Sequence, residues 1–426
     1  MNLNETNNKL FEINGISVYN IKSQRFKTNT INIFFQDNLN HDSVAYNALF
    51  PSVLRRGSES FPDLKSINLH LEELYGAIFD CGIVKKGEKQ IIHFYFEYIA
   101  DKYSFNNSNN FKSGVDFLLD IIYRPALENG HFVTQYVEQE KNNLKMLIES
   151  RTNDKLNYAL ERCYEVMCEG EPFGLYEYGT TTHIDAINTQ ALYEHYQKAV
   201  STLPAIVFIT GEINEKDMNY LKDRLSMVKR GAVKGLLQSV VKKYVKDVKY
   251  FDEKMDVNQA KLSLGFRTHV TPKENDYYAL MVYNGILGGG MHSKLFQNVR
   301  EKAGLAYYIF AGLEKFKGLM IIGSGIDIKN KQVAMDIIMK QLESIKNGDI
   351  SQYEFDSTMK SLETGVHSLK DSQLQVVDFY LSQIISDTHD TLEGLLQKLK
   401  RVTKKDVVEV AKKLQLDTVY FLTAKS

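Results

Sequence analysis

The sequence predicts an α+β protein of two homologous, duplicated domains, each with a mostly antiparallel mixed sheet whose helices pack on one face. Three observations support this prediction. The chain has 426 residues, which is enough for two or three domains of ordinary size. Its two halves resemble each other. In each half, strand patterns and long helical patterns are segregated rather than strictly alternating, which favours α+β over α/β architecture.

The repeat emerges when each residue from Ile31 onward is compared with the residue 231 positions later. Twelve of 61 ungapped pairs are identical, where composition alone would give about four. Most are apolar residues or glycines, which a shared core and shared turns require, as in the pairs Phe35 with Phe266 and Gly57 with Gly288. We therefore predict domains at residues 1–228 and 249–426, joined by a linker at 229–248, where charge rises and glycines interrupt the pattern.

The sequence of each half predicts strands and helices in the same order. An alternating strand comes first, at 31–36 and 261–267, and two helices follow it. A hairpin then turns at Lys86-Gly87 in the first half and at Lys317-Gly318 in the second. Long helices are predicted at 133–150, 156–169, 332–347, 352–368 and 371–386, and the halves end in strands at 205–210 and 418–423.

Composition and charge exclude several classes of protein. The chain has 52 basic and 53 acidic residues, a net charge of −1, so it has no overall attraction to nucleic acid or anionic membranes. No run approaches the roughly 18 apolar residues of a membrane span, and the N-terminus lacks the pattern of a signal peptide. Three cysteines are too few for a secreted disulfide framework. We expect a cytoplasmic protein that binds neither nucleic acid nor membrane.

Two superficial site patterns carry little weight. The ten histidines include no pair at the three- or four-residue spacing that puts two imidazoles on one helical face, so a sequence-local zinc site is unsupported. The glycines at 288–290, followed by Ser293-Lys294, resemble a phosphate-binding loop but lack its Gly-Lys-Ser/Thr ending after a strand. They favour the end of a helix and a tight turn.

The stretch at 298–307 is the most informative part of the sequence. Arg300 lies on a charged helical face that Gly304 would end, and Tyr307 begins the next strand. The hydrogen-bond donors of an arginine at a helix end and of a tyrosine just past the following turn can converge on one point. There they could bind a carbonyl oxygen or a developing oxyanion. Residue types alone leave a second interpretation open, in which Arg300 is solvated and Tyr307 is an ordinary aromatic of the sheet.

The passage from Leu280 to Ile309, which contains LGGGMHSKLFQNVREKAGLAYYI, resembles the second domain of the pitrilysin/insulinase (inverzincin) zinc metallopeptidases of the two-domain bacterial type. That domain typically contains Leu-Gly-Gly-Gly, Ser-Arg-Leu-Phe, Arg-Glu-Lys and Gly-Leu-Ala-Tyr. In the first half, Arg56-Gly57-Ser58 with Pro62, and the stretch LYGA at 74–77, are also similar to the family. The resemblance covers nearly the whole chain, and it implies the same two-domain duplication.

The family hydrolyses peptides with a zinc ion held by an inverted H-x-x-E-H motif and a distal Glu. Aligned on Gly57, the motif falls on Ala48-Leu49-Phe50-Pro51-Ser52, and the distal Glu falls around Met146 and Leu147. Both histidines, the general base and the distal ligand are therefore absent. The resemblance implies that this chain binds no metal and no cofactor of its own and is inactive alone.

The resemblance also assigns a role to Arg300 and Tyr307. In the family, an Arg and a Tyr seven residues apart in the second domain contact the bound peptide near its scissile carbonyl. Some two-domain members work in pairs, in which one subunit carries the zinc motif and the other contributes the Arg and the Tyr. The resemblance thus implies a non-catalytic, substrate-binding subunit of a heterodimeric zinc peptidase with an enclosed chamber, whose zinc is held by a homologous partner.

Two alternatives remain. The chain could be a catalytically inactive scaffold or peptide-binding protein, either a homodimer or an assembly factor, although such a protein has no need of the Arg300 and Tyr307 pair. A lone peptidase with Cys81 as an unusual nucleophile has little support, because Cys81 lies in a strand-like segment with no suitably spaced histidine.

Overall fold

The structure is a computed structural model that describes residues 7–105 and 109–425. The first six residues, part of the N-terminal stretch considered above for a signal peptide, lie outside this range. The chain divides into two compact units. One comprises the chain up to Glu149 together with Leu175–Leu237, and the other comprises Ser150–Gly174 together with the chain from Gln238 onward.

The helices and strands of the described chain, in order, are β1 (Asn7–Ile13), β2 (Ile16–Ile21), β3 (Thr28–Asn38), α1 (Val44–Leu54), α2 (Leu64–Glu73), β4 (Ile78–Lys86), β5 (Lys89–Ile99), α3 (Asn110–Tyr123), β6 (Leu127–Glu128), β7 (His131–Phe132), α4 (Thr134–Ser150), α5 (Lys155–Met167), α6 (Thr181–Asp185), α7 (Thr189–Thr202), β8 (Ala205–Thr210), α8 (Glu215–Ser226), β9 (Lys249–Met255), β10 (Ala260–Arg267), α9 (Tyr277–Gly288), a π-helical segment (Phe296–Lys302), β11 (Ala306–Glu314), β12 (Leu319–Ile326), α10 (Lys331–Lys346), α11 (Gln352–Leu369), α12 (Gln373–Ser386), α13 (Leu392–Lys400), α14 (Lys404–Ala411) and β13 (Gln415–Ala424). None of these helices has the length and hydropathy that a bilayer crossing demands.

The two main sheets share the same topology over five strands, and the first has β1 as an additional edge strand. In the first unit the strand order is β1-β2-β8-β3-β5-β4, and in the second it is β9-β13-β10-β12-β11. Each sheet is antiparallel except for one parallel pair, β2 with β8 and β9 with β13. Strands β2, β8, β3, β5 and β4 therefore correspond in position and direction to β9, β13, β10, β12 and β11. The predicted α+β class and the duplication are confirmed.

The helices of the first unit pack on one face of its sheet. Alternate residues of β3, namely Ile31, Ile33 and Phe35, join a core that includes buried residues of α1, α3 and α7. Their neighbours point to the other face, where the ring of Phe34 stacks on that of His93 at 4.2 Å between centroids. This two-residue alternation is the pattern that the sequence analysis used to predict the strand.

The predicted hairpin turns are also confirmed. Gly87 connects β4 to β5 with φ of +57°, and Gly318 lies between β11 and β12 with φ of +67°. Glycine adopts this left-handed conformation without the steric cost that a Cβ would impose. One expectation needs refinement, because the second helix predicted after β10 is the π-helical segment rather than an ordinary α-helix.

One segment of the first half of the sequence belongs to the second unit. Helix α5 contacts β10 and β13, and it buries Ala159, Cys163 and Met167. At Gly265 in β10, a Cβ atom would lie 2.7 Å from the Met167 sulfur, so the helix packs very closely on the strand. This grouping differs from the division at 228, which would place residues 150–174 in the first domain. The linker at 229–248 stays a prediction, within a stretch (227–248) that contains no helix or strand.

A buried ionic network fixes the same segment to the second unit. The Arg267 side chain is 0% exposed, and its guanidinium donates to Asp417 over 2.8 Å and to Glu171 over 2.7 Å. The Lys317 ammonium, also 0% exposed, lies 2.8 Å from the Glu171 carboxylate. Buried charges are tolerated only when they are paired and hydrogen-bonded, so Glu171 links α5 and its flanking chain to the sheet.

Candidate functional site

Four of the five residues aligned with the zinc motif are buried in the first unit, and the fifth, Ser52, is partly exposed. Ala48, Leu49 and Phe50 lie on α1 and are almost completely buried among apolar side chains. Pro51 is inside the same helix, and its carbonyl oxygen accepts from the Arg55 amide. These four side chains carry no metal-binding atom, and Ser52 offers a neutral hydroxyl in place of the imidazole or carboxylate that zinc sites use, so the residues present do not fit a zinc ion.

The wider environment gives the same result. Met146 and Leu147, aligned near the distal zinc ligand, have exposed side chains with no donor suited to zinc. Across residues 7–105 and 109–425, no group of three His, Cys, Asp or Glu side chains is arranged to hold a metal ion.

A polar cavity of about 380 Å³ borders the degenerate motif, and Ser52 lies on its wall. Two arginines also line it, and both are paired with carboxylates, Arg55 with Asp80 and Arg56 with Glu140. These ion pairs engage both cationic side chains of the cavity wall. The charges at this place thus compensate each other within the chain.

Cys81 lies on β4 near this cavity and is poorly suited to act as a nucleophile. Its thiol donates to the Pro51 carbonyl oxygen over 3.1 Å. Desolvation raises the pKa of the Cys81 thiol to about 12, so the thiolate is a negligible species at neutral pH. The geometry gives no support to a lone cysteine peptidase.

Arg300 lies in the π-helical segment, one turn after Phe296. Its guanidinium carbon is 4.8 Å from the centre of the Phe296 ring, a distance at which the positive charge is attracted to the ring face. The side chain is 44% exposed, and its Nε atom makes a long contact of 3.7 Å with the carboxylate of the exposed neighbour Glu301. π-Helical turns are rare in proteins, and those that occur are frequently found at functional sites. The phenyl ring therefore orients an arginine that remains accessible.

Tyr307 is the second residue of β11, the edge strand of the second sheet, and lies at a β-bulge. Ala306 pairs with Ile326 and Tyr308 pairs with Gly325, so Tyr307 has no partner residue on β12. Its side chain is 63% exposed. Bulges at sheet edges redirect a side chain and are common beside active sites. The bulge thus turns Tyr307 toward solvent rather than into the sheet.

The chain between the two residues forms a tight reversal. The Gly304 amide donates to the Arg300 carbonyl over 3.1 Å, and the Leu305 amide donates to the Val299 carbonyl over 3.0 Å. Gly304 has φ of +63°, which is the glycine-ended helix terminus that the sequence predicted. Both predicted site residues therefore lie at one end of β11, and both are exposed. No hydrogen bond joins their side chains in the part of the chain described.

The glycine run and Lys294 do not form a phosphate-binding loop. Helix α9 ends at Gly288 with Gly289 as its C-cap, as predicted. Ser293 and Lys294 are buried, and the Lys294 ammonium lies 3.0 Å from the Glu354 carboxylate. The lysine is neutralised inside the unit, which leaves no free cation for a phosphate.

Sequence reasoning missed a cavity in the second unit, of about 300 Å³, that contains Ser382 and Ser386 on its wall. Its wall combines α9 with the consecutive helices α11 and α12, which follow more than 60 residues later, so no local motif marks it. The sequence of α12 offers a weak signal for this cavity, since its two serines lie on the same buried helical face as Phe379.

The comparisons with known proteins agree with this geometry. A family model described as the peptidase M16 inactive domain matches residues 186–362. The chain is 34% identical over 408 residues to the Bacillus subtilis protein named "Probable inactive metalloprotease YmfF", with 96% of each chain covered. It is 24% identical over 239 residues to the "Uncharacterized zinc protease YmxG" of the same organism, with 55% of this chain and 57% of that one covered.

Solved structures give the same fold. A conserved protein from Enterococcus faecalis V583 superimposes with a TM-score of 0.89 at 30% identity, over 97% of both chains. A Pseudomonas fluorescens structure described as a peptidase M16 inactive domain has a TM-score of 0.80 at 16% identity, over 97% of this chain and 96% of that one. The second likeness supports the fold alone.

Proposed function

This chain belongs to the peptidase M16 family and is of its inactive type, and on that premise we propose that it is the non-catalytic, substrate-binding subunit of a heterodimeric zinc peptidase. A homologous partner with an intact H-x-x-E-H motif would hold the zinc. The two subunits would enclose a chamber in which peptides are hydrolysed. The proposal rests on the contrast between a zinc motif replaced by core residues and an accessible Arg300 and Tyr307 in the second unit.

The chemistry of the two exposed residues suits a peptide near its scissile bond. The Arg300 guanidinium would donate charge-assisted hydrogen bonds to a peptide carbonyl. The Tyr307 hydroxyl would donate to the oxyanion that develops when that carbonyl is attacked. Neither role requires the chain to bind a metal, which agrees with the residues found along α1.

The proposal includes a cytoplasmic location. All three cysteines, Cys81, Cys163 and Cys168, are free thiols, and Cys163 and Cys168 are buried. Unpaired buried thiols are usual in reducing compartments, whereas secreted proteins tend to pair their cysteines.

The role of the two residues is tested by turnover of the reconstituted complex. We expect Arg300→Ala and Tyr307→Phe each to lower kcat by about 10²–10³, as for the loss of one oxyanion donor, while the complex still assembles. Arg401→Ala and Tyr353→Phe are matched controls, because both residues are exposed in the same unit and lie outside the site. Unchanged turnover in a well-assembled Arg300→Ala, Tyr307→Phe double variant would refute the role.

A further inference from the structure

A second cavity, of about 300 Å³, lies within the second unit and is separate from Arg300 and Tyr307. Helices α9, α11 and α12 form most of its wall. Its apolar lining includes Met281 from α9, Val366 and Leu369 from α11, and Phe379 from α12. The volume falls at the lower end of the range of small-molecule sites, which are mostly apolar with a few placed polar groups.

Two of the polar groups on this wall have no hydrogen-bond partner among the described residues. Ser382 and Ser386 lie one turn apart on α12, with residue exposures of 2% and 8%. Their hydroxyls make no hydrogen bond within the described part of the chain. A buried hydroxyl without a partner is costly, and two of them on one wall call for a polar group to occupy the space between the helices.

Several other polar groups of the wall are already engaged. The Gln383 side-chain oxygen accepts from the Thr388 hydroxyl over 2.6 Å and from the Asp390 amide over 3.0 Å. The Asp390 carboxylate is paired with Lys398. Lys315, the cation on the wall, lies 5.1 Å from the Phe316 ring. Because the two charged wall residues have opposite signs, the cavity favours a neutral polar group over an ion.

Gly365 lines the cavity on the side of α11, where the residue is exposed. A Cβ atom at this position would meet no other atom within 4 Å, so neighbouring packing does not require glycine. Glycine in a helix interior is less favourable than alanine. The residue thus leaves unfilled space at a place where a larger side chain would be expected to stabilise the helix.

We propose that this cavity binds a small neutral amphiphile, a molecule with an apolar body and one hydroxyl or amide group that pairs with the hydroxyls of Ser382 and Ser386. The apolar body would lie against Met281, Val366 and Phe379. The site is independent of the proposed peptidase role, and it can be tested on the isolated chain.

The test uses methyl NMR of the full chain with labelled methionines. Met281 reports on the cavity, and Met291, which is 73% exposed, reports on non-specific binding. The probes are 1-octanol and 1-fluorooctane, which has the same chain length but no hydroxyl donor. We expect 1-octanol to shift the Met281 signal saturably without shifting Met291. We expect 1-fluorooctane to bind more weakly.

Variants localise the effect. Gly365→Leu should abolish the Met281 shift by filling the space, whereas Gly365→Ala should retain it. The Ser382→Ala, Ser386→Ala double variant should weaken 1-octanol binding about tenfold through the lost hydrogen bonds and leave 1-fluorooctane unaffected. Ser368→Ala, exposed on α11, is the matched control. An unmoved Met281 signal, a shift shared with Met291, or full binding by Gly365→Leu would each overturn the proposal.

Discussion

At the scale of single residues, Glu171 balances the buried charges of the second unit. Its carboxylate accepts from Arg267, Lys317 and Lys243. Burial alone would raise the pKa of Glu171, but the hydrogen bonds from these three cations outweigh it and lower the pKa to about 2. The carboxylate is therefore ionised throughout the neutral range, and the stability of the unit depends on it.

Removing that carboxylate should be strongly destabilising. Glu171→Ala deprives the fully buried Arg267 and Lys317 side chains of an ion partner, and breaking a buried pair costs about 3–5 kcal/mol. Urea denaturation measures this as a loss of unfolding free energy. Glu169→Ala, two residues away with an 83% exposed side chain, should change it by less than about 0.5 kcal/mol. Equal effects of the two substitutions would show that the network does not hold the unit together.

His195 in the first unit predicts a dependence of stability on pH. Its Nε2 atom lies 2.7 Å from the Asn47 side-chain oxygen, and burial lowers the pKa of the imidazole to about 4. Between pH 6.5 and 4 the unfolded chain takes up a proton that the folded chain does not. The contribution of neutral His195 to the unfolding free energy is therefore complete above pH 6.5 and is lost as the pH falls toward 4.

The size of this effect can be measured by comparing how the unfolding free energies of wild type and of a His195 variant depend on pH. Between pH 7 and pH 5, wild type should lose about 2 kcal/mol more unfolding free energy than His195→Gln, which cannot titrate. His389→Gln, an exposed histidine of the other unit, should behave like wild type. Parallel pH profiles of wild type and His195→Gln would contradict the assignment.

At the scale of elements, Gly288 determines how closely α9 approaches β11. A Cβ atom at Gly288 would lie 2.4 Å from the Ala311 amide nitrogen and 2.7 Å from its Cβ, and a backbone atom cannot rotate away. Strand β11 also carries Tyr307 at its start. The close packing of α9 on β11 therefore helps to position the edge strand from which Tyr307 projects.

Gly288→Ala should consequently separate the two elements. Overpacking of this kind costs about 1–3 kcal/mol, which thermal unfolding would show as a lowered Tm. Gly365→Ala is the matched helical control, because its added methyl meets nothing and should stabilise the chain by up to about 1 kcal/mol. A Gly288→Ala variant with unchanged Tm would rule out the close approach.

The elements themselves were largely predictable from the sequence. The strand at 205–210 was predicted with its observed bounds, and the turns at Gly87 and Gly318 followed from glycine between two alternating runs. Arg300 at a glycine-ended helix and Tyr307 at the start of a strand were also placed correctly. The bulge that exposes Tyr307 was not predictable, because it depends on the register of β11 against β12, which no local pattern specifies.

At the scale of the whole molecule, the chain passes into the second unit and back before its first half is complete. The apolar stripe of α5, with Ala159, Cys163 and Met167, indicated a buried helix. It could not indicate which sheet buries it, since the two duplicated sheets offer similar apolar faces. The cavity lined by Ser382 was hidden for a different reason, because it forms only when α9 packs beside α11 and α12.

The placement of α5 predicts how fragments should behave. A fragment of residues 238–426 would lack Glu171 and the helix that covers β10, so we expect it not to fold cooperatively. Adding a peptide of residues 150–174 should restore a cooperative transition, observed by circular dichroism on heating. The same peptide with Glu171→Ala should restore it less well. A fragment that unfolds cooperatively without the peptide would contradict the placement.

The central claim concerns the partner, and one measurement tests it most directly. The tagged protein would be isolated under native conditions from its own cells, its partners identified by mass spectrometry and its zinc content determined for each subunit. We predict a one-to-one complex with a protein of similar size that carries H-x-x-E-H, and zinc on that partner alone. A zinc-free homodimer, or a partner unrelated to peptidases, would contradict the account and favour an inactive scaffold.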